Sequence, residues 1–200
     1  MIQLPNSFRM GRKDDAPYMA ELVNYAGEGI PLYLWKKMAE NGESGWDVGR
    51  RRAEREQGAF SYRNAYIVEA DGVCAGCLIG YAEPDIPEPI DYGAMPPMFV
   101  PMQELENLAP GSWYVNVLAI FPEYRRRGLG QQFLELADRI GAEAGKSGTS
   151  VIVSDANHGA RRLYESCGYR ETASRPMVKE GWVNEGENWV LLTKKRSMMV

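Results

Sequence analysis

Arg125-Arg126-Arg127-Gly128-Leu129-Gly130 is the segment whose residue types most directly suggest chemistry. It follows the apolar run Trp113 to Phe121 and precedes a stretch with helical periodicity. Two glycines at a helix N-terminus let backbone N–H groups approach a ligand closely, and the macrodipole adds about half a positive charge there. Three arginines raise the potential further, so phosphate or pyrophosphate is the natural occupant. The alternative is a tight turn beside a solvated basic cluster. A P-loop needs GxxxxGK[ST], which is absent. A dinucleotide fold needs GxGxxG directly after a strand, but here Phe133 takes the place of the third glycine. Only about 45 residues follow Asp155, too few for the second half of a doubly wound sheet.

Other chemistries find little support. Cys74-Ala75-Gly76-Cys77 has CxxC spacing but lies in a run that reads as a strand, VCAGCLIGY. Residues three apart on a strand point to opposite faces, which predicts neither chelation nor a disulfide. His158 is the single histidine, so a zinc site lacks ligands and a Ser-His-Asp triad would depend on that one residue. The net charge of −4 argues against a nucleic-acid partner. No apolar run reaches the ~18 residues of a membrane span, and the N-terminus has no signal-peptide core. With three cysteines, the chain is expected to be cytoplasmic, without metal, and not attached to a membrane.

The elements that must hold the arginine–glycine turn are legible around it. Phe8 to Arg12 reads as a strand, and Asp14-Asp15-Ala16-Pro17 as an N-cap with proline in the first turn of a helix over 16–26. Helical patterns follow at about 32–41 and 46–57, the latter with Arg50-Arg51-Arg52 on a solvated face. Residues 65–70 and 73–81 form a hairpin across Asp71-Gly72. From Glu83 to Pro110 the chain turns proline-rich and irregular, with Met95, Met98, Phe99 and Met102 clustered in it. Strand 113–121, helix 129–144 and the buried strand 150–154 make a βαβ unit, hence a parallel pair. A short helix over 158–166, capped by Asn157 and stopped at Gly168, precedes two last strands near 169–173 and 189–195. The predicted fold class is α/β: a mixed, mostly antiparallel central sheet with one parallel βαβ unit and helices on both faces.

Arg125-Arg-Arg-Gly128-Leu-Gly130 fits the pattern [RQ]-x-x-G-x-[GA], and the sequence resembles the GNAT (GCN5-related N-acetyltransferase) superfamily. LAIFPEYR resembles the exit of that family's fourth strand. Asn157-x-x-Ala160-x-x-Leu163-Tyr164-x-x-x-Gly168-Tyr169 resembles the segment completing its coenzyme A site. The motifs cover Trp113 to Tyr169, and only element order supports the likeness before Tyr81.

The resemblance implies one acyl-CoA N-acyltransferase domain over 1–200, with a Pro/Met-rich insertion at about 83–110. It implies acetyl-CoA as co-substrate and acetyl transfer to a primary amine by direct attack in a ternary complex, an acyltransferase of class EC 2.3.1. Backbone groups of Leu118, Ala119 and Ile120 are then expected on the pantetheine amides. The turn Arg125, Arg126, Arg127, Gly128, Leu129 and Gly130 is expected on the pyrophosphate. Asn157 is expected to reach the pantetheine arm, with Ala160 and Leu163 on the same wall. Tyr164 matches the family's general acid for the leaving thiolate, whereas Tyr169 reads as structural. No carboxylate lies between Trp113 and Phe121, where some members carry their base, so Glu83 just after the third strand is the candidate base.

One charge asymmetry bears on the acceptor. Lysine and arginine are absent from Asn64 to Tyr124, while Glu83, Asp85, Glu88, Asp91, Glu104 and Glu106 lie in or beside the proline-rich segment. A rim of that kind attracts cations and repels carboxylates. The expected acceptor is the amine of a small molecule or peptide with some apolar character. A homodimer is compatible with the sequence. The alternative readings are a non-catalytic acyl-CoA-binding module and a partner-binding protein.

Overall fold

The Asp71-Gly72 turn is built as its residue types require, with both residues at positive φ, 52° and 77°. That is the backbone of a two-residue hairpin loop. It joins β2 (Ala65–Ala70) to β3 (Val73–Ala82). The computed structural model describes residues 4, 5 and 7–196. Its other elements are β1 (Phe8–Met10), α1 (Ala16–Ala26), α2 (Ile30–Met38), α3 (Gly45–Ala53), α4 (Val100–Glu106), β4 (Trp113–Ile120), α5 (Leu129–Glu143), β5 (Gly148–Ser154), α6 (His158–Ser166), β6 (Arg170–Pro176) and β7 (Asn188–Lys195).

The strands form one mixed sheet in the order β1-β2-β3-β4-β5-β7-β6. The β1–β2, β2–β3, β5–β7 and β6–β7 ladders are antiparallel, and β4–β5 is parallel. The parallel ladder pairs Trp113, Tyr114 and Val115 with Thr149, Ser150 and Val151, although β4 runs on to Ile120 and β5 to Ser154.

Two compact units divide the chain, and β3, β4 and α5 contribute to both. The first holds the residues up to Gly80 together with Asn116–Phe133. Its core gathers Met19, Leu22 and Val23 of α1, Val48 of α3, Ile67 of β2, Cys77 and Ile79 of β3, and Val117, Ala119 and Phe121. Trp35 of α2 stacks on Phe60, 5.7 Å between centroids. Gly76 is needed at the β3–β4 contact, because a Cβ there would collide with the Ile120 side chain and lie 2.7 Å from the Ala119 carbonyl. The second unit holds Tyr81–Val115 and 134–196. Leu134, Leu136 and Ala137 of α5, Val151 and Val153 of β5, and Trp189 to Leu192 of β7 are buried there.

Several expectations need correction. Residues 83–110 are not wholly irregular, since α4 and a short turn over Pro97–Phe99 form inside them. Pro101 lies in the first turn of α4, where no N–H is missed, and Met-Gln-Glu-Leu-Glu are helix formers. Asp15 occupies the N-cap of α1 but does not cap it with its side chain. Its buried carboxylate instead takes bonds from both terminal nitrogens of Arg9, 2.7 and 2.8 Å, and from the Arg12 amide, 2.7 Å. Helices α2 and α3 begin one or two residues before their expected starts and end three or four residues before their expected ends.

The argument that Cys74 and Cys77 face opposite ways also fails. Glu69 pairs with Cys74 and Val68 with Gly76, which leaves Ala75 as an extra residue in β3. A bulge of one residue resets the alternation of the strand. Both cysteines therefore join the same core cluster, as free thiols. Burial pushes the Cys77 thiol well above its ordinary value, and the nearby Cys74 adds to the shift.

Candidate active site

In the first unit the chain leaves β4 at Ile120, and the Phe121 amide bonds the Ala75 carbonyl at 2.9 Å. A single 3-10 turn over Pro122–Tyr124 leads into the arginines. The structure gives those three residues different tasks. Arg125 donates through Nε to the Ile120 carbonyl at 2.9 Å and lies 6.0 Å from the Tyr25 ring centre. Arg127 donates to the Glu123 carbonyl at 3.1 Å and stands over Tyr124. Both brace the turn. Arg126 is exposed and has no hydrogen-bond or ion-pair partner among the described residues.

Arg126 also carries a φ of +64°, and Gly128 one of +78°. Left-handed residues alternating through a turn direct successive N–H groups toward one side, the geometry of an anion nest. A Cβ on Gly128 would meet only Gln132 Nε2 at 3.9 Å, so φ rather than crowding calls for glycine here. The Gln132 amide closes the first helical turn on the Gly128 carbonyl at 3.1 Å. The amides of Leu129 and Gly130 precede it and belong to the orphan donors of the α5 N-terminus. Leu118, Ala119 and Ile120, the expected pantetheine strand, form the end of β4. Ala119 is 6% exposed and Ile120 9%.

In the second unit α6 holds the other predicted residues. Asn157 caps the helix, its Oδ1 accepting from the Ala160 amide at 3.1 Å, so this oxygen is committed to local structure. Ala160 and Leu163 are half-buried. Tyr164 is buried, and burial raises its phenol above the ordinary value, which keeps it protonated at neutral pH. Tyr169 is fully buried, its ring tilted against Tyr164 at 5.7 Å.

Glu83 follows β3. Its amide donates to the Ser112 carbonyl and its own carbonyl accepts from Lys146 Nζ, 2.8 and 2.9 Å. The residue is 7% exposed and Oε1 has no hydrogen-bond partner. Burial pushes this carboxyl up to about 7, with the Glu88 charge adding and Lys146 opposing. Two further residues stand out here, Glu106, which the sequence offered only as one acid of the rim, and Tyr114, which it gave no role. Glu106 ends α4 and is pushed up to about 8 by burial and by the charges of Glu83 and Glu88. Tyr114 of β4 is buried, packs against Tyr81 at 5.5 Å, and feels the charges of Glu106 and Glu83 as well as Tyr164. The signal for Glu106 lay in the helix-forming run MQELE, and that for Tyr114 in its position at the start of the strand.

The first unit thus carries a turn suited to an anion at a helix N-terminus, and the second carries a carboxyl pushed up to about 7 and a buried phenol. Residues 32–169 match the family model described as Acetyltransferase (GNAT) family, and the chain belongs to that family. Three solved structures share its fold. One is an acetyltransferase with 20% identity over 94% of this chain and 98% of its own, TM-score 0.65. The second is an N-acetyltransferase from Staphylococcus aureus Mu50 with 17% identity over 93% and 98%, TM-score 0.65. The third is the N-acetylglutamate synthase from Neisseria gonorrhoeae, complexed with coenzyme A and N-acetyl-glutamate. It has 14% identity over 98% of this chain and 36% of its own, TM-score 0.54. No curated protein matches the sequence.

Proposed function

We propose that this chain is an acetyl-CoA-dependent N-acetyltransferase that acetylates a primary amine of a small molecule or peptide in a ternary complex, as one catalytic domain with 83–110 inserted on the acceptor side. The observation that carries the reading is the Arg125–Gly130 turn. Its two left-handed residues, the unpaired Arg126 and the α5 N-terminus fit a pyrophosphate. The coenzyme A in the N-acetylglutamate synthase structure supports the same carrier.

Acetyl-CoA supplies a thioester whose carbonyl carbon accepts the amine and whose thiolate departs. The chain's residues have the remaining tasks. Amides of Arg126 to Gly130 hold the pyrophosphate while Arg125 and Arg127 keep the turn in shape. Backbone groups of Leu118, Ala119 and Ile120 bond the pantetheine amides, and a backbone N–H of Leu118 or Ala119 donates to the thioester oxygen. Ala160 and Leu163 line the pantetheine wall. Glu83 takes one proton from the acceptor ammonium, directly or through water, and Tyr164 gives one to the departing thiolate and regains one from the attacking nitrogen as the amide forms.

The test is a thermal melt with and without acetyl-CoA, followed by thiol release with a panel of amines. At ~100 times its Kd the ligand adds about 2.7 kcal/mol, or roughly 5–10 °C for this size. A shift absent with NAD or ATP is expected. Folded protein that shows no shift with acetyl-CoA would overturn the reading.

A further inference from the structure

We propose that a cavity within the second unit, bounded by the C-terminal half of α5, the start of β5 and the end of β7, binds a small dianion: a phosphate or a dicarboxylate. The cavity measures about 230 Å3, and its charged lining is Asp138, Lys146, Lys194, Lys195 and Arg196. None of these residues has a task in the acetyl transfer proposed above. A chain with a net charge of −4 thus sets four cations around one acid here. Two of the four are answered within the fold. Lys194 Nζ bonds Asp138 Oδ2 at 2.5 Å, and Thr149 Oγ1 donates to Oδ1 of the same carboxylate at 3.2 Å. Lys146 Nζ donates to Asp85 Oδ1 and to the Glu83 main-chain carbonyl, both at 2.9 Å.

Lys195 and Arg196 are exposed, and neither has a side-chain hydrogen bond or ion pair among the described residues. Their main chain is nonetheless fixed beside the cavity. Lys195 pairs with Gly148 in the β5–β7 ladder, and the Arg196 amide donates to the Ser147 carbonyl at 3.0 Å. A concave site focuses the field of like charges that nothing in the chain neutralises, and concentrates counter-ions there. Two unanswered cations call for two negative charges. Arg196 can offer a planar pair of N–H donors, the geometry that carboxylate and phosphate oxygens match, while Lys195 adds a point charge. About 150 Å3 suffices to hold benzene, so a cavity of 230 Å3 has room for a phosphate ester or a short dicarboxylate with some of its water.

The experiment is calorimetry at pH 7.5 in about 150 mM chloride, where exposed charges more than roughly 8 Å apart are largely screened. The probes are inorganic phosphate and malonate, with acetate as the singly charged control. At least one dianion should bind about tenfold or more tightly than acetate, and the comparison of the two shows whether phosphate or carboxylate is preferred. Lys195→Ala/Arg196→Ala removes only exposed side chains, so the variant should fold, and it should weaken the dianion about tenfold or more. Arg126→Ala should leave the affinity within about twofold, because the Arg125–Gly130 turn belongs to the first unit. Dianions bound no better than acetate, absence of binding included, overturn the proposal. So does a double variant that melts cooperatively and binds as wild type does, or a loss confined to Arg126→Ala, which would place the anion on the turn.

Discussion

Replacing Glu83 by glutamine keeps the volume of the side chain and removes its capacity to take a proton. A free alkylamine with a pKa near 10 is neutral in only about one molecule per thousand at pH 7. If Glu83, held at about 7, accepts the ammonium proton in the complex, the enzyme escapes that limit. The wild-type kcat/KM should then rise about tenfold per pH unit below 7 and level off between 7 and 8, as the Glu83–Glu106 pair finishes ionising. Glu83→Gln must wait for free amine, so its kcat/KM should keep climbing tenfold per unit toward pH 10. The deficit is therefore largest near pH 7, on the order of 10²–10³-fold, and shrinks toward unity at pH 10. Thiol release measured from pH 5.5 to 10 with one amine reads both curves. A variant that retains the bend near pH 7, or an unchanged rate at that pH, would refute the role given to Glu83.

Tyr164→Phe should bind acetyl-CoA with the wild-type thermal shift and lose roughly 10²–10⁴-fold in kcat, since only the proton donor is gone. Arg126→Ala should weaken acetyl-CoA about tenfold in a direct titration, the size of one lost charge-assisted contact, and leave the melting temperature of the free protein within about 2 °C. Gly76→Ala forces a methyl into Ile120 and the Ala119 carbonyl, and should cost about 1–3 kcal/mol, read as a melt lowered by several degrees. Glu106→Gln should be neutral for stability below about pH 4, where Glu106 is protonated in both the folded and the unfolded chain. With a folded pKa raised to about 8 against an ordinary carboxyl near 4.5, the native state binds the extra proton between those values, so its stability falls as pH rises. Above pH 8.5 the variant should be more stable than wild type by about 1–2 kcal/mol after allowance for partial solvation. Melts of both proteins at pH 4 and pH 9 check the change.

What the sequence determined by itself was local. Asp71-Gly72 has only one comfortable turn, Ala16–Ala26 and His158–Ser166 have helical periods with their own stops, and Arg125 to Gly130 sits between an apolar strand and an amphipathic helix. Each of these is fixed by residues within a few positions, and each appears in the structure where the pattern predicts it. The family was legible for the same reason, since its motifs are local. Tertiary structure decided what depends on partners far along the chain. The extra residue at Ala75 exists only in the pairing with β2, so the side taken by Cys74 could not be read from spacing. Asp15 left its cap because Arg9 offered a bidentate partner. Nothing in the order of residues separates the three arginines, but backbone carbonyls and ring faces engage Arg125 and Arg127 and leave Arg126. The sequence could name Glu83 as a candidate base and Glu88 and Glu106 as rim acids, but could not say which of them are buried. Burial of Glu83 and Glu106, a property of what the chain packs against them, raises both carboxyls toward neutrality.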